Sequence, residues 1–159
     1  MISVYSDGSS SGRSNQPGGY GWVVLLDGEP VRAGYGGDPS TTNNRMEMQG
    51  AISGLEAIRA LFGGADRQAS VAAYKPRPSH DGDRLVELVS DSQYTLYVAN
   101  GRFSPTKNLD LAAKLRHLYQ TLGVQGRWVR GHSGDVWNER ADSLAKMGKL
   151  EAQKEALDG

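Results

Sequence analysis

Four acidic residues occupy places where an isolated carboxylate is costly. Asp7 ends an apolar opening segment, Ile2-Ser3-Val4-Tyr5-Ser6-Asp7, and Asp91 ends a second one, Leu85-Val86-Glu87-Leu88-Val89-Ser90-Asp91. Glu47 precedes Ala51 by four residues on the stripe Ala51, Leu55, Ile58, Phe62, which turns it toward the inner face of a helix. Asp142 stands three residues before Ala145, near the apolar side of the last helix. Converging carboxylates repel one another and raise each other's pKa unless a cation sits among them. From spacing alone two readings stand side by side. One is a divalent-metal site built of oxygen ligands; the other is four unrelated surface acids.

The elements that must position these acids follow from the apolar pattern. Strands are expected over 1–7, 21–26, 30–36, 84–91 and 124–130, with Asp27-Gly28 as a hairpin turn joining the second and third. Helices are expected from 41–44 to 62, over 92–100, over 110–122 and from 135 to 157. Hairpins followed by alternating strands and helices imply an α/β fold with a mixed sheet, five strands flanked by helices in the order βββαβααβα. Such sheets place ligands at the carboxyl ends of parallel strands, where Asp7 and Asp91 stand. The polar stretch 63–83, with Pro76 and Pro78, reads as a loop insertion into an otherwise single domain spanning 1–159.

The bulk numbers narrow the function. With 18 basic and 18 acidic residues among 159, no global charge draws nucleic acid, so any such binding needs a local patch. The absence of cysteine excludes disulfides, thiolate metal sites and Cys nucleophiles. No segment reads as a signal peptide or a membrane span, which predicts a cytoplasmic protein.

Four segments, in order and each carrying its acid, resemble type 1 ribonuclease H. They are Tyr5-Ser6-Asp7-Gly8-Ser9-Ser10, Thr41-Thr42-Asn43-Asn44-Arg45-Met46-Glu47, Ser90-Asp91-Ser92-Gln93-Tyr94, and Trp128-Val129-Arg130-Gly131-His132-Ser133-Gly134 with Asn138-Glu139-Arg140-Ala141-Asp142. The resemblance runs to about Leu150 and implies a ribonuclease H-like fold. It also implies an endonuclease that hydrolyses the RNA strand of RNA–DNA hybrids, giving 5′-phosphate and 3′-hydroxyl ends. Its implied cofactor is two Mg²⁺ ions, with Mn²⁺ as a substitute, held by Asp7, Glu47, Asp91 and Asp142. His132 is implied as a proton carrier, although a histidine between glycines is by itself an ordinary loop residue. Asn43, Asn44 and Gln93 match positions that read the hybrid, with Ser9 and Ser10 as helpers in a turn after Asp7. Helix capping is the plainer explanation of Asn43 and Asn44. Thr42 and Asn108 match a phosphate-binding pair. The implied assembly is a monomer on its hybrid, away from membranes. His80 and His117 match nothing.

The chain departs from this pattern where the substrate is gripped. The long basic handle that follows the Ser90–Tyr94 helix in familiar bacterial members is missing. The position of a phosphate-holding arginine falls on Leu25, and that of an aromatic on Ala112. Arg67, Tyr74, Lys75 and Arg77 in the insertion offer a basic and aromatic mixture, read chiefly as a solvated spacer. Arg13, Lys107, Lys114 and Arg116 offer a modest phosphate-binding face. A resolvase-like DNA enzyme and a non-catalytic hybrid-binding module are the rival readings.

Overall fold

The computed structural model describes residues 1–62 and 85–158. The insertion expected at 63–83, with its four basic and aromatic residues, lies outside them. Five strands, β1 (Ile2–Ser10), β2 (Gln16–Leu26), β3 (Glu29–Thr41), β4 (Val86–Ser90) and β5 (Val124–Trp128), form one sheet in the order β3-β2-β1-β4-β5. The hairpin strands β1, β2 and β3 pair antiparallel, whereas β1–β4 and β4–β5 pair parallel. Four helices complete the expected order: α1 (Asn43–Phe62), α2 (Gln93–Asn100), α3 (Leu109–Thr121) and α4 (Val136–Asp158). Among the described residues no helix is long and apolar enough to cross a membrane.

The local signals act as the chemistry dictates. Asp27 and Gly28 both take positive φ, 51° and 85°, the geometry of a tight hairpin turn whose twist matches the flanking strands. Ser92 caps α2 by accepting from the Thr95 N–H at 3.1 Å, and Gly101 closes it in the left-handed region. Asp135 opens α4 by accepting from the N–H groups of Trp137 and Asn138. Pro30 is tolerated because β3 is an edge strand, and a register shift between Val24 and Leu25 lies beside it.

Residues Ile2 to Asp7 of the central strand β1 are all buried, because the sheet is covered on both faces. On one face Ile2, Val4, Val24 and Leu88 meet the inward stripe Ala51, Leu55, Ile58 and Phe62 of α1, together with α2 and α3. On the other, Tyr5, Val23, Leu25 and Val89 meet Ala141 and Leu144 of α4. Leu25, where the family pattern has an arginine, is thus a core residue beneath α4.

β2 and β3 run further than the sequence suggests. The glycine-rich start of β2, including Gly18 and Gly19, reads as a turn because glycine disfavours strands. Here it is sheet, since α4 lies almost backbone to backbone upon it. A Cβ on Gly19 would run into Ala145 O and Lys149 N, and one on Gly148 into Gly36 O. Backbone cannot swing aside as a side-chain tip can. Gly148→Ala is therefore expected to lower stability by about 2 kcal/mol or more, through overpacking. Thermal denaturation checks this; an unchanged midpoint would show that α4 can lift without cost.

Candidate active site

Parallel pairing sets Ser6 opposite Ser90, so the next residues on the two strands, Asp7 and Asp91, stand side by side. Glu47 reaches the same point from α1. Gly8 permits this approach, because a Cβ there would lie 2.5 Å from the Glu47 backbone nitrogen. Carboxylate oxygens of Asp7, Glu47 and Asp91 lie within 4.8 Å of one another. Asp7 and Glu47 are only 4% and 6% exposed. Asp142, on α4, is half-buried and outside this triad, with its carboxylate 3.0 Å from Lys146 Nζ one turn further on. It is still close enough to Asp7 to act on its titration.

The electrostatics are those of carboxylates buried and crowded together. Burial, then the neighbouring charge of Asp91, pushes the Asp7 carboxyl up to about 8, with Asp142 adding to the rise and the Gly8 N–H, donating at 2.9 Å, opposing it. Burial and the charges of Asp7 and Asp91 hold the Glu47 carboxyl well above the usual carboxylate range. Asp91 is raised by burial too, against hydrogen bonds from Asp7 and Asn138 and the charge of His132. Glu47 Oε2 is buried with no hydrogen-bond partner. Three or four carboxylates with an orphaned oxygen form a hard, all-oxygen donor set, which fits a divalent cation of the Mg²⁺ type. Four unrelated surface acids do not describe this arrangement.

His132 lies on the exposed loop between β5 and α4, at φ 55° in the left-handed region. Gly131 beside it leaves room for Asp91, whose Oδ2 would be 2.9 Å from an added Cβ. Asn43, Asn44 and Gln93 are exposed at the starts of α1 and α2. The capping explanation fails for the asparagines, because Thr42 caps α1 instead, its Oγ1 accepting from the Arg45 N–H at 3.3 Å. Their side chains make no hydrogen bond among the described residues and face solvent. Ser9 and Ser10 are not in a turn: β1 continues through them, paired with Gly19 and Gly18. Asn108 precedes α3 with φ 59°, its Oδ1 accepting from Arg45 Nη1 at 3.2 Å.

Two of the remaining expectations change. Arg116 spends its guanidinium on the carbonyl oxygens of Val98 and Phe103, so it shapes the α2–α3 connection rather than offering its donors outward. His117 is exposed on α3 and His80 lies outside the described residues. Asn138, which sequence reasoning weighted low, is 2% exposed and near enough to Asp91 to oppose the rise of its carboxyl. Its position one turn before Asp142 on α4 was the available signal. The handle is absent in fact, since only residues 101–108 join α2 to α3.

The RNase H family model matches residues 1–149. The chain is 36% identical to a ribonuclease H of Rhodospirillum rubrum, a match covering 99% of this chain and 89% of that protein. It is 38% identical to a ribonuclease H of Syntrophotalea carbinolica, covering 92% and 90%. Among solved structures, RNase H1 from the halophilic archaeon Halobacterium salinarum NRC-1 is 28% identical with a TM-score of 0.64, over 94% of this chain and 98% of that one. LC11-RNase H1, solved in complex with an RNA/DNA hybrid, shares the fold at 22% identity and a TM-score of 0.72, over 96% and 99% of the two chains. With its sheet order, its acidic centre and these relatives, the chain belongs to the RNase H family and is a type 1 ribonuclease H.

Proposed function

We propose that this ribonuclease H hydrolyses the RNA strand of RNA–DNA hybrids in a Mg²⁺-dependent reaction, leaving 5′-phosphate and 3′-hydroxyl ends. The observation that carries the reading is the buried triad Asp7, Glu47 and Asp91, with its orphaned Glu47 oxygen. That LC11-RNase H1 was solved with an RNA/DNA hybrid supports the choice of substrate. Asp7, Glu47, Asp91 and Asp142 would hold two ions, and Mn²⁺ would serve in place of Mg²⁺. When bound, such ions activate a water for in-line attack and stabilise the departing oxygen.

The remaining work falls to the chain's own side chains. The loop around His132 carries an imidazole beside Asp91, placed to pass a proton during the reaction. Asn43, Asn44 and Gln93, with Ser9 and Ser10 on the rim of β1, read 2′-hydroxyls in the shallow minor groove of the hybrid. Thr42 and Asn108 hold a phosphate oxygen with neutral donors. The reading takes the chain as one domain, acting as a monomer in the cytoplasm.

The test is cleavage of end-labelled hybrid, DNA duplex and RNA duplex, with Mg²⁺ or with chelator. Only the hybrid with Mg²⁺ is expected to be cut, with products that carry 5′-phosphates. Equal nicking of the DNA duplex would overturn the substrate assignment in favour of a resolvase-like activity. Asn44→Ala should reduce hybrid cleavage about tenfold, the effect of one hydrogen bond of ~1.4 kcal/mol, while leaving the melting point within ~2 °C.

Grip is expected to be weak. Arg45 is paired with Asp110, Arg127 with Glu87, and Arg116 with carbonyl groups; of the exposed cations that remain, Arg13, Arg102, Lys107 and Lys114 would meet phosphate. At about −0.9 per phosphate contact, the slope of log affinity against log salt should be no steeper than about −4. Fluorescence anisotropy of a labelled hybrid over a salt series measures it.

A further inference from the structure

We infer that Arg45 is a positioning residue for phosphate binding: its guanidinium occupies the acceptor oxygen of Asn108 and turns the amide donors outward, beside a Thr42 hydroxyl whose oxygen accepts from the main-chain N–H at position 45. This rests on the hybrid-cleaving reading above and adds a part to it.

A threonine hydroxyl and an asparagine amide each carry donors and acceptors, so either can meet a phosphate in a useless orientation. The Arg45 side chain removes that ambiguity at Asn108, and its main chain fills one acceptor site of Thr42. Its backbone N–H donates to Thr42 Oγ1 at 3.3 Å, leaving the hydroxyl hydrogen to point elsewhere. Its Nη1 donates to Asn108 Oδ1 at 3.2 Å, leaving the Nδ2 hydrogens directed away. Among the described residues neither of those donors has a partner. A phosphate oxygen accepts only, and so matches a pair of donors.

The guanidinium is itself fixed. Nη1 and Nη2 donate to the two Asp110 carboxylate oxygens at 3.1 and 2.9 Å, a two-pronged ion pair between the starts of α1 and α3. Asp110 also balances its charge. Arg45 is therefore well placed to aim other groups and poorly placed to attract phosphate as a bare cation. Asn108 sits in the left-handed region at φ 59° and ψ 36°, where a short polar side chain is tolerated and its direction is set by its hydrogen-bond partner. Leu25 is buried beneath α4, so no arginine on β2 enters this grip. The two aimed neutral donors carry it.

The test is a double-mutant cycle on hybrid cleavage, using Arg45→Met, Asn108→Ala and the pair. Each single variant is expected to raise KM about tenfold, with the loss falling mostly on KM rather than kcat. The double variant should also show about tenfold, because both changes disable one device. The salt slope of hybrid binding should be the same in all four proteins, since the lost donor is neutral. Arg45→Lys should fail to rescue, because an ammonium cannot fork between Asn108 and Asp110. Asp110→Asn, on an exposed residue, should raise KM in the same direction by a smaller factor, and it serves if Arg45→Met does not fold. An additive, about hundredfold loss in the double variant would overturn the proposal. So would a salt slope about one unit shallower in Arg45→Met, which would mean that the arginine touches phosphate itself. An unchanged KM in Asn108→Ala or Arg45→Met would overturn it as well. Absence of cleavage by the wild-type protein would sink the hybrid reading and this role together, whereas wild-type cleavage with additive variants would sink only the role of Arg45.

Discussion

Asp7→Asn is expected to reduce hybrid cleavage by at least a thousandfold, ~4 kcal/mol in barrier, while raising the melting temperature of the metal-free protein. Both effects come from one geometry. Asp7 stands beside Asp91 on parallel strands, with Glu47 overhead, and is nearly sealed from water. Asparagine keeps the shape but removes a charged ligand and its repulsion. The stability effect carries a pH signature. Asp7 titrates near 3.8 when free of its surroundings, and burial beside Asp91 pushes it to about 8. Between those values the folded protein holds a proton that the unfolded chain would release, so stability falls as pH rises through the window. Asparagine has nothing to release. The variant's advantage should be near zero at pH 4 and grow toward pH 8, reaching on the order of 2 kcal/mol, or about 6–8 °C. Melting curves with chelator across that range check it. A variant less stable than wild type at pH 8 would mean that Asp7 is not crowded by its neighbours.

The acids were legible because two independent periodicities pointed inward at them. An apolar run that stops at an acid marks Asp7 and Asp91, although β1 itself continues past Asp7 to Ser10, and the stripe through Ala51, Leu55, Ile58 and Phe62 carries Glu47 to the same side. Parallel register, which sets Ser6 opposite Ser90, then joined them, and register is a property of the sheet rather than of either segment. Asp142 was harder, because its place depends on how close α4 comes to β2. Glycines decide that distance. Glycine locally weakens strand and helix alike, yet Gly19, Gly21 and Gly148 form the contact between helix and sheet, a tertiary use that no local propensity encodes. The same limit explains Ser9 and Ser10, assigned to a turn though β1 runs on through them. Capping was the plain reading of Asn43 and Asn44. Only the Thr42 bond to the Arg45 N–H shows which residue holds the helix start and which two do not. The Arg45–Asp110 pair spans α1 and α3, so neither segment alone announces it.

Divalent cation should reverse the instability of the acidic centre, and do so more strongly at higher pH. Asp7 and Glu47 are both held above the ordinary carboxylate range by burial first and by mutual charge second. A cation binds carboxylates only in their ionised form, so binding must displace the protons that these two retain. Below about pH 6 that displacement opposes binding. As pH rises through 8 the opposition disappears, and the metal's own charge takes over the repulsion. Mg²⁺ titrations followed by melting temperature should therefore show an apparent affinity that climbs about tenfold to a hundredfold per pH unit between pH 6 and 8, for one to two protons released, and then levels. Cleavage at subsaturating Mg²⁺ should climb with it, and at saturating Mg²⁺ the rise should flatten. Glu47→Gln should weaken the stabilisation by Mg²⁺ and make it less steep in pH, because the oxygen now buried without a partner belongs to that carboxylate. Should the Mg²⁺ effect instead be equal at pH 6 and 8, the carboxyls would already be ionised without metal. The crowding that defines this centre would then be wrong.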